Sequence, residues 1–430
     1  MQFSPFLALR YLKPKRSFVS VITLISVLGV ALGVAVLVVV IAVFTGFGEK
    51  IKETIIGFEP HITLDSNGIV NNWQDLVDEV KQVDGVTSAT AFVQGQVIMD
   101  FAGRRRAPSM LAISPDEVET ARYSAITKQG EFRLDFDTVV IGDELAQSMG
   151  IELGDTILLY SPHEIDTLLQ AIDKAEKAET PEERQKWFDT AREEVTVPQE
   201  LTVVGIFDSG FYEFDGNILI THLEVGQVLY SLGGDVHGIS IETRDAYAAP
   251  QIREAIVEAT GYQYRALTWA DRHQARLEAV MVERQVMWFL LLFIMVVAGF
   301  CIMNTMITVT YQKRSEIGLI KAIGAPESMI ARIFLLQGMI VGAFGVIVGL
   351  VLAYLFIDNR KEIIDWLGQV FHIKMFAEEV YGFPDGLPAV VTFKDVFWIS
   401  VGAFVSCILA ALAPAIIAAR LEPAKALRSE

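Results

Sequence analysis

The sequence lacks common motifs that bind ATP, bind a catalytic zinc ion or supply a nucleophilic serine. It contains no G-x-x-x-x-G-K-[ST] phosphate loop, no H-E-x-x-H zinc motif and no G-x-S-x-G turn. Its six histidines are scattered without ligand spacing. We therefore expect no catalytic residue, no metal site and no cofactor bound by this chain.

Cysteine is also scarce. The two cysteines, Cys301 and Cys407, lie in long apolar runs, and the polar segment 48–286 has none. No disulfide therefore stabilises this segment, which at about 240 residues can bury an adequate core unaided. The segment carries 42 acidic and 20 basic residues, and the whole chain has a net charge of −18. This acidic balance argues against nucleic-acid binding, because nucleic acids are polyanions.

Charged residues are absent from four long apolar runs, at residues 19–43, 287–309, 333–357 and 396–419. Each run reaches the roughly 20 residues with which a helix crosses the bilayer core, and a charge at mid-bilayer would cost several kcal/mol. The runs predict four transmembrane helices. The first follows a basic stretch, as in a signal peptide, but it is too long and no small-x-small cleavage site follows, so we expect an uncleaved anchor.

Basic residues in the short flanks predict the orientation. Residues 1–20 contain four basic residues and no acidic one, and basic residues also outnumber acidic ones in the 311–332 loop and the C-terminal tail. By the positive-inside rule, both termini and that loop face the cytoplasm. The predicted order is a basic segment 1–18, a span 19–47, an exterior domain 48–284, a span 285–310, a cytoplasmic helix 311–328, a span 330–357, a short exterior loop 358–393, a span 395–419 and a tail 420–430.

The exterior domain begins and ends with the same order of elements. "PHITLD", "NWQDLVDEVKQVDG" and "VTSATAFVQGQVIMDF" predict a strand, an amphipathic helix and a strand, and "GISIETRD", "APQIREAIVEATG" and "YQYRALTW" repeat that order. Two such halves can close into one ferredoxin-like sandwich. The strand-rich region between them predicts an inserted subdomain. The expected fold is therefore four transmembrane α-helices plus a large α+β domain, with a duplicated β-α-β half (48–115 and 236–275) and a β-rich insert (116–235).

Two polar helical segments are predicted within this domain. Residues 162–198 predict a helical hairpin, with Thr180, Pro181 and Glu183 at the start of its second helix. A solvated surface insertion and a docking arm for a soluble partner both remain open for it. The segment "TWADRHQARLEAVMVERQVMW" is expected to run as one unbroken helix into the second span, because it shows no identifiable break.

Glycines form a stripe on the third span and a pair on the first. Small residues let helix backbones approach closely where lipid offers no hydrophobic drive for association. Packing within one chain and packing against a second subunit both remain open. The residues are Gly29, Gly33, Gly338, Gly342, Gly345 and Gly349.

The stretch 311–326, "YQKRSEIGLIKAIGAP", is polar although long apolar runs flank it. Ser315 is predicted to cap a short helix with Glu316 in its first turn, and Gly324 and Pro326 are predicted to end it. Its isoleucines recur at a helical spacing, at Ile317, Ile320 and Ile323. At about 14 Å it is too short to span a membrane. It either lies on the membrane surface or is held by another protein.

The same stretch, extended to "NTMITVTYQKRSEIGLIKAIGAPESMIARIFLLQG", resembles the signature of FtsX/MacB-type ABC transporter permeases, and the tail "LAPAIIAARLEPAKALRSE" is similar to their closing motif. Within that superfamily, "LALRYLKPKRSFVSVITLISVLGVALGV", "VVIGDELAQSMGIELGDTI" and "FDSGFYEFDGNILI" resemble the LolC/LolE-type lipoprotein-releasing permeases more closely. The likeness covers nearly the whole chain.

This resemblance implies a permease dimer, formed with the same chain or a relative, and two cytoplasmic ABC ATPase subunits that bind ATP and Mg. It implies a bacterial inner-membrane location, Porter-like and Sabre-like periplasmic subdomains, and lipoprotein cargo that is passed to a periplasmic carrier. Docking of the short helix on the ATPase implies a coupling role for Glu316, Ile317, Gly318, Leu319, Lys321, Ala322, Gly324 and Ala325. A cavity lined by the first two spans implies cargo contact for Val40, Val43, Phe44 and Phe47.

Two features depart from the lipoprotein-releasing pattern. The 162–198 insertion stands where one permease type has a β-hairpin hook for the carrier, with Pro198 near its base, and Cys301 stands where that branch often has Asn. Two alternatives are an FtsX-like scaffold that activates an exterior hydrolase, and MacB-like efflux with a fused ATPase. Because only about 18 residues precede the first span, no fused ATPase is expected there.

Overall fold

The chain forms two compact units in a computed structural model, which describes residues 18–161, 180, 198–371 and 387–422. The helical unit comprises Met1–Lys50, Arg276–Met375 and Asp385–Glu430, and the sheet unit comprises Ile51–Ala275 and Phe376–Pro384. The predicted helical insertion 162–198 lies outside the described residues, apart from Thr180 and Pro198. Residues 1–17 and 423–430, which belong to the predicted terminal segments, lie outside them as well.

Helices and strands alternate through the middle of the chain. The α-helices are α1 Phe18–Phe58, α2 Trp73–Lys81, α3 Glu117–Ile126, α4 Asp143–Met149, α5 Tyr212–Asp215, α6 Leu223–Leu229, α7 Ala249–Ala259, α8 Trp269–Arg272, α9 Gln274–Gln312, α10 Arg314–Ala322, α11 Glu327–Asp358, α12 Arg360–Phe371 and α13 Phe393–Ala419. The strands are β1 Ile62–Val70, β2 Val86–Gln96, β3 Ile98–Phe101, β4 Arg104–Arg106, β5 Ser109–Ile113, β6 Thr127–Gly130, β7 Thr138–Gly142, β8 Thr156–Tyr160, β9 Gln199–Phe207, β10 Ile218–His222, β11 Val236–Thr243 and β12 Arg265–Thr268.

The sheet unit is built on one mixed sheet with the strand order β12-β1-β11-β2-β5-β10-β7-β9-β8-β3-β4, and β6 pairs with β9. The predicted strand–helix–strand order at both ends of the domain is confirmed, as β1-α2-β2 and β11-α7-β12. Their four strands are antiparallel neighbours. Parallel pairs occur only further along the described sheet, between β10 and β5 and between β7 and β9. The expected α+β domain is therefore present.

The polar segment after β12 does not form one unbroken helix, so that prediction is wrong at its start. Thr268 and Asp271 form a capping box that begins α8, and the chain leaves helical geometry at His273. The His273 Nε2 atom lies 2.8 Å from a carboxylate oxygen of Glu59. From Gln274 onward α9 is continuous over 39 residues. The T-x-x-D pattern of Thr268 and Asp271, which is typical of the start of a short helix, could have predicted that this segment is not one helix.

The helical unit contains four helices that are long and apolar enough to cross a membrane, namely α1, α9, α11 and α13. This confirms the four predicted apolar helices. The larger of two clusters of their buried side chains brings Val30, Val34 and Leu37 of α1 together with Val341 of α11 and Cys407 of α13. Because lipid replaces water around such helices, close packing between them must supply the stability that the hydrophobic effect supplies elsewhere.

The four glycines of α11 pack within the chain, against two different helices. A Cβ atom built on Gly338 would lie 2.5 Å from the Ala411 Cβ of α13, and one on Gly342 would lie 2.8 Å from the Cys407 Cβ. One turn further on, a Cβ on Gly345 would lie 2.6 Å from Val30 of α1. Gly349 likewise faces α1, where its Cβ would lie 2.7 Å from the Ala31 carbonyl oxygen.

The two glycines of α1 are less confined. A Cβ on Gly33 would make ordinary contacts at 3.8 Å and 3.9 Å with Ala298 and Ile294 of α9. No atom of the described residues lies within 4 Å of a Cβ built on Gly29. The close-packing role predicted from glycine spacing is therefore observed for the stripe on α11.

We expect the Gly345→Leu substitution to destabilise the helical unit by about 1–3 kcal/mol, because overpacking forces backbones apart. The matched control is Gly29→Leu, which adds the same side chain to open space on α1. The measurement is the thermal unfolding midpoint of the purified protein in detergent. Equal midpoints for the two variants would contradict close packing at Gly345.

Candidate functional site

The candidate site is α10, the short helix between α9 and α11. It starts two residues after the end of α9, and two backbone hydrogen bonds cross the join. The Lys313 N–H donates to the Val309 carbonyl, and the Ile317 N–H donates to the Lys313 carbonyl. The helix therefore has no side-chain cap, and the prediction that Ser315 caps it is wrong. Glu316 occupies the first turn as predicted.

The other end of α10 is closed by glycine. Gly324 has a φ of +104°, a conformation that favours glycine. The Ala325 N–H donates to the Ile320 carbonyl at 3.2 Å, which matches the longer bond of a Schellman motif. Pro326 then precedes the first residue of α11. The predicted termination of the helix at Gly324 and Pro326 is confirmed.

One face of α10 packs on the adjoining ends of the long helices. Ile317 is 2% exposed and Gly318 is also buried. Ile317 belongs to an apolar cluster with Val309 of α9, Phe334 of α11 and Ala415 of α13. A short helix has little stability of its own in water, so this cluster holds it in position.

Lys321 ties α10 to the end of α13. Its Nζ atom donates to the carbonyl oxygens of Ala419, at 2.6 Å, and Leu421, at 2.9 Å, and it pairs with Glu327 at 3.3 Å. The last carbonyls of a helix carry partial negative charge and lack partners within the helix. The side chain of Lys321 is only 11% exposed. The structure thus places this predicted coupling residue on the inner face of α10.

The opposite face of α10 is exposed and partly apolar. Leu319 is 54% exposed and Ile323 is 80% exposed. The side chain of Glu316 is 51% exposed and pairs with Lys313. Ala322 and Gly324 are exposed too, and Ala325 is half-buried. The face therefore offers two apolar side chains four residues apart and an acidic group for contact with another molecule.

Ile323 is the residue of this face that sequence reasoning missed. The spacing of three residues groups it with Ile317 and Ile320. At about 100° per residue, three-residue steps drift by 60° each, so Ile323 points about 120° away from Ile317. Leu319 and Ile323, four residues apart, differ by only about 40°. The helical angle would have placed Ile323 beside Leu319.

The predicted cargo residues lie on α1 but do not line the cleft that the structure shows in the helical unit. Val40, Val43, Phe44 and Phe47 are half-buried. The cleft is shallow and lies between α1, α9 and α13. Its lining residues are Val30, Gly33, Val34, Leu37, Ile294, Met295, Ala298, Gly299, Ala403, Ser406 and Cys407.

Beside the predicted cargo residues, α1 is in close contact with the segment that precedes α13. A Cβ atom built on Gly46 would lie 2.6 Å from the Ala389 backbone nitrogen. The neighbouring Val390 N–H donates to the Ala42 carbonyl of α1 at 2.9 Å. Arg284 of α9 also reaches both carboxylate oxygens of Asp395 of α13, each at 3.0 Å. The segment before α13 is thereby fixed against α1, and α13 against α9.

Two family models match the chain. Residues 23–259 match the MacB-like periplasmic core domain. The chain belongs to this family. Residues 288–423 match the FtsX-like permease C-terminal domain, which includes α10. The chain is therefore a membrane permease of the FtsX/MacB superfamily with a periplasmic core domain. Permease subunits of this family are not themselves catalytic.

Relatives of this permease match it from end to end. It is 27% identical over 436 residues to the lipoprotein-releasing system transmembrane protein LolC of Neisseria meningitidis serogroup B, covering 99% of this chain and 98% of the relative. It is 24% identical over 428 residues to the LolE protein of that system in Haemophilus influenzae, covering 97% and 96%. The resemblance to LolC/LolE-type ABC transporter permeases is therefore confirmed.

Solved structures with some similarity to the permease are periplasmic or extracellular domains. The extracellular domain of the transporter YknZ from Gram-positive bacteria is 12% identical, with a TM-score of 0.30, over 48% of this chain and 99% of that domain. The periplasmic region of MacB from Actinobacillus actinomycetemcomitans is 13% identical, with a TM-score of 0.31, over 53% and 97%.

We expect Lys321→Met to lower the free energy of unfolding by about 2 kcal/mol, because two helix-end carbonyls lose a charged donor. Lys313→Met is the matched control, since the Lys313–Glu316 pair is a surface pair worth at most about 1 kcal/mol. Denaturant unfolding in detergent compares the two. A larger loss for Lys313→Met would contradict the anchoring role of Lys321.

Proposed function

We propose that the chain is the permease subunit of an ATP-driven transporter that extracts lipoproteins from the bacterial inner membrane and passes them to a periplasmic carrier. The observation that carries this proposal is the end-to-end match to LolC and LolE, which are named as lipoprotein-releasing system proteins. Both termini would be cytoplasmic and the sheet unit periplasmic. The sheet unit would comprise a Porter-like part with a ferredoxin-like sandwich and a Sabre-like insert.

In this proposal, α10 is the contact with a separate ABC ATPase, which binds ATP and Mg. The support is geometric. The inner face of α10 is fixed by Ile317 and Lys321, while Leu319 and Ile323 are exposed on the outer face. When a partner bound to its apolar outer face moves, a helix that is fixed in this way can transmit the displacement to α9, α11 and α13. The permease would pair with a second copy or with a relative.

The long helix α9 is proposed to carry that movement toward the periplasmic side. It is continuous over 39 residues from Gln274 to Gln312, and α10 starts two residues after its end. A continuous helix bends only at identifiable breaks. The break at His273 precedes α9, so the whole apolar span and the polar turns before it form one rod.

We expect the double substitution Leu319→Glu and Ile323→Glu to reduce co-purification of the ATPase at least about tenfold, because apolar anchors dominate contact energies. Membrane insertion should remain normal. The matched control places the same charges on exposed apolar residues of the sheet unit, Ile69→Glu and Val118→Glu. Full ATPase recovery with the α10 variant would exclude α10 as the docking site.

Proline in α9 tests the mechanical role. Glu278→Pro should uncouple ATP hydrolysis from lipoprotein release, because proline in a helix interior removes a backbone hydrogen bond and kinks the helix. Gln274→Pro is the control, since proline is tolerated in the first turn. The measurement is lipoprotein release from proteoliposomes per ATP hydrolysed. Unchanged release by Glu278→Pro would contradict transmission along α9.

The same preparations distinguish lipoprotein release from a scaffold function. A releasing transporter should co-purify with lipid-anchored protein and lose it when ATP is added. Co-purification of a peptidoglycan hydrolase without lipid-anchored cargo would favour the FtsX-like alternative.

A further inference from the structure

The hairpin β3–β4 presents three consecutive arginines at the edge of the sheet. β4 consists of Arg104, Arg105 and Arg106, and all three are exposed. It pairs with β3 on one side and is the last strand in the sheet order. This concentration of positive charge stands out because the surrounding segment 48–286 carries 42 acidic and only 20 basic residues.

The hairpin is held in a fixed shape by Asp100. One carboxylate oxygen of Asp100 accepts the Gly103 N–H at 3.2 Å, and the other accepts the Arg105 Nε–H at 2.8 Å. The hydrogen bond from Arg105 holds the pKa of Asp100 below its usual value. The turn residues Ala102 and Gly103 have φ values of 50° and 81°, as a two-residue hairpin turn of type I′ requires.

Arg104 and Arg106 are both exposed on one face of β4. Side chains alternate along a strand, so these two share a face and Arg105 points to the opposite one. Among the described residues, neither Arg104 nor Arg106 forms an ion pair, whereas Arg105 pairs with Asp100. Two residues apart on a strand, their Cα atoms are separated by about 6.8 Å. Carboxylates on alternate residues of an extended peptide have the same separation.

We propose that the β4 edge is a docking surface for an extended acidic segment of a separate protein, with Arg104 and Arg106 each binding a carboxylate. Guanidinium groups suit this role because they bind carboxylates with paired hydrogen bonds. A second copy of β4 would be repelled, because like charges would face each other. The proposal does not rest on the proposed lipoprotein-release function.

The strand order separates the arginines from the strands that continue into the membrane helices. The sheet unit receives the chain from α1 through β1 and passes it to α8 and α9 from β12. β12 and β1 are the first two strands in the sheet order, whereas β4 is the last. The arginines therefore lie at the opposite end of the sheet order from the strands that connect to the membrane helices.

The test uses the full-length protein in nanodiscs and two fluorescent peptides of equal charge. One peptide alternates Glu and Thr over eight residues, and the other has four Glu followed by four Thr. We expect the alternating peptide to bind more tightly than the block peptide. Arg104→Ala with Arg106→Ala should weaken binding of the alternating peptide about tenfold, which corresponds to about 1.4 kcal/mol. Fluorescence anisotropy measures both affinities.

The matched control removes two other exposed cations of the sheet unit, by Lys81→Ala with Arg244→Ala. This variant should bind the alternating peptide like the unmodified protein. Equal weakening in both double variants would reduce the effect to net charge and overturn the proposal. Equal affinities for the two peptides would overturn the proposed carboxylate spacing.

Three further outcomes would also overturn the proposal. If the unmodified protein binds neither peptide, the role of the arginines would be to prevent β4 from pairing with edge strands of other molecules. Binding that appears only after deletion of residues 162–197 would assign the arginines to that segment of the same chain. Stronger competition by vesicles with anionic lipid than by the alternating peptide would assign them to a membrane.

Discussion

Backbone contact between α11 and its two neighbours is the constraint on which the helical unit depends. Gly338 and Gly342 admit α13, and Gly345 and Gly349 admit α1. Since lipid tails are as apolar as leucine, helix association in a membrane must come from packing at such short range. With α11 seated between α1 and α13, the adjoining ends of α9, α11 and α13 enclose the pocket of apolar side chains in which Ile317 is buried. The position of α10 thus follows from glycines that lie several turns away.

Two demands on α10 are met by its two faces. Ile317 and Lys321 point inward and fix the helix to the unit, and Leu319 and Ile323 point outward. The position of Lys321 is the less expected of these, because a charged residue of a short polar helix usually points to solvent. Its bonds to the carbonyls of Ala419 and Leu421 make it part of the support instead.

Local patterns predicted much of this architecture, and the errors have physical causes. The apolar helices, the two β-α-β units and the end of α10 at Gly324 could be predicted from the sequence, because each depends on residues that are close together in the chain. Ser315 failed as a cap because the helix begins one residue earlier, at Arg314, so that Ser315 lies inside its first turn. The break before α9 was readable from Thr268 and Asp271. The partners of Lys321 were not, because they lie about 100 residues away. Spacing alone also left open whether the glycine stripe packs within the chain or against a second subunit, and the structure places it against α1 and α13.

The contact between α11 and α13 also contains a native cysteine. Cys407 is buried there, where the missing side chain of Gly342 leaves room for it, and Cys301 on α9 is exposed. These are the only two cysteines in the chain. Cys301 therefore lies at the surface of the helical unit, whereas Cys407 is sterically shielded for as long as α11 and α13 stay together. Modification of Cys407 would thus report separation of these two helices without any engineered label.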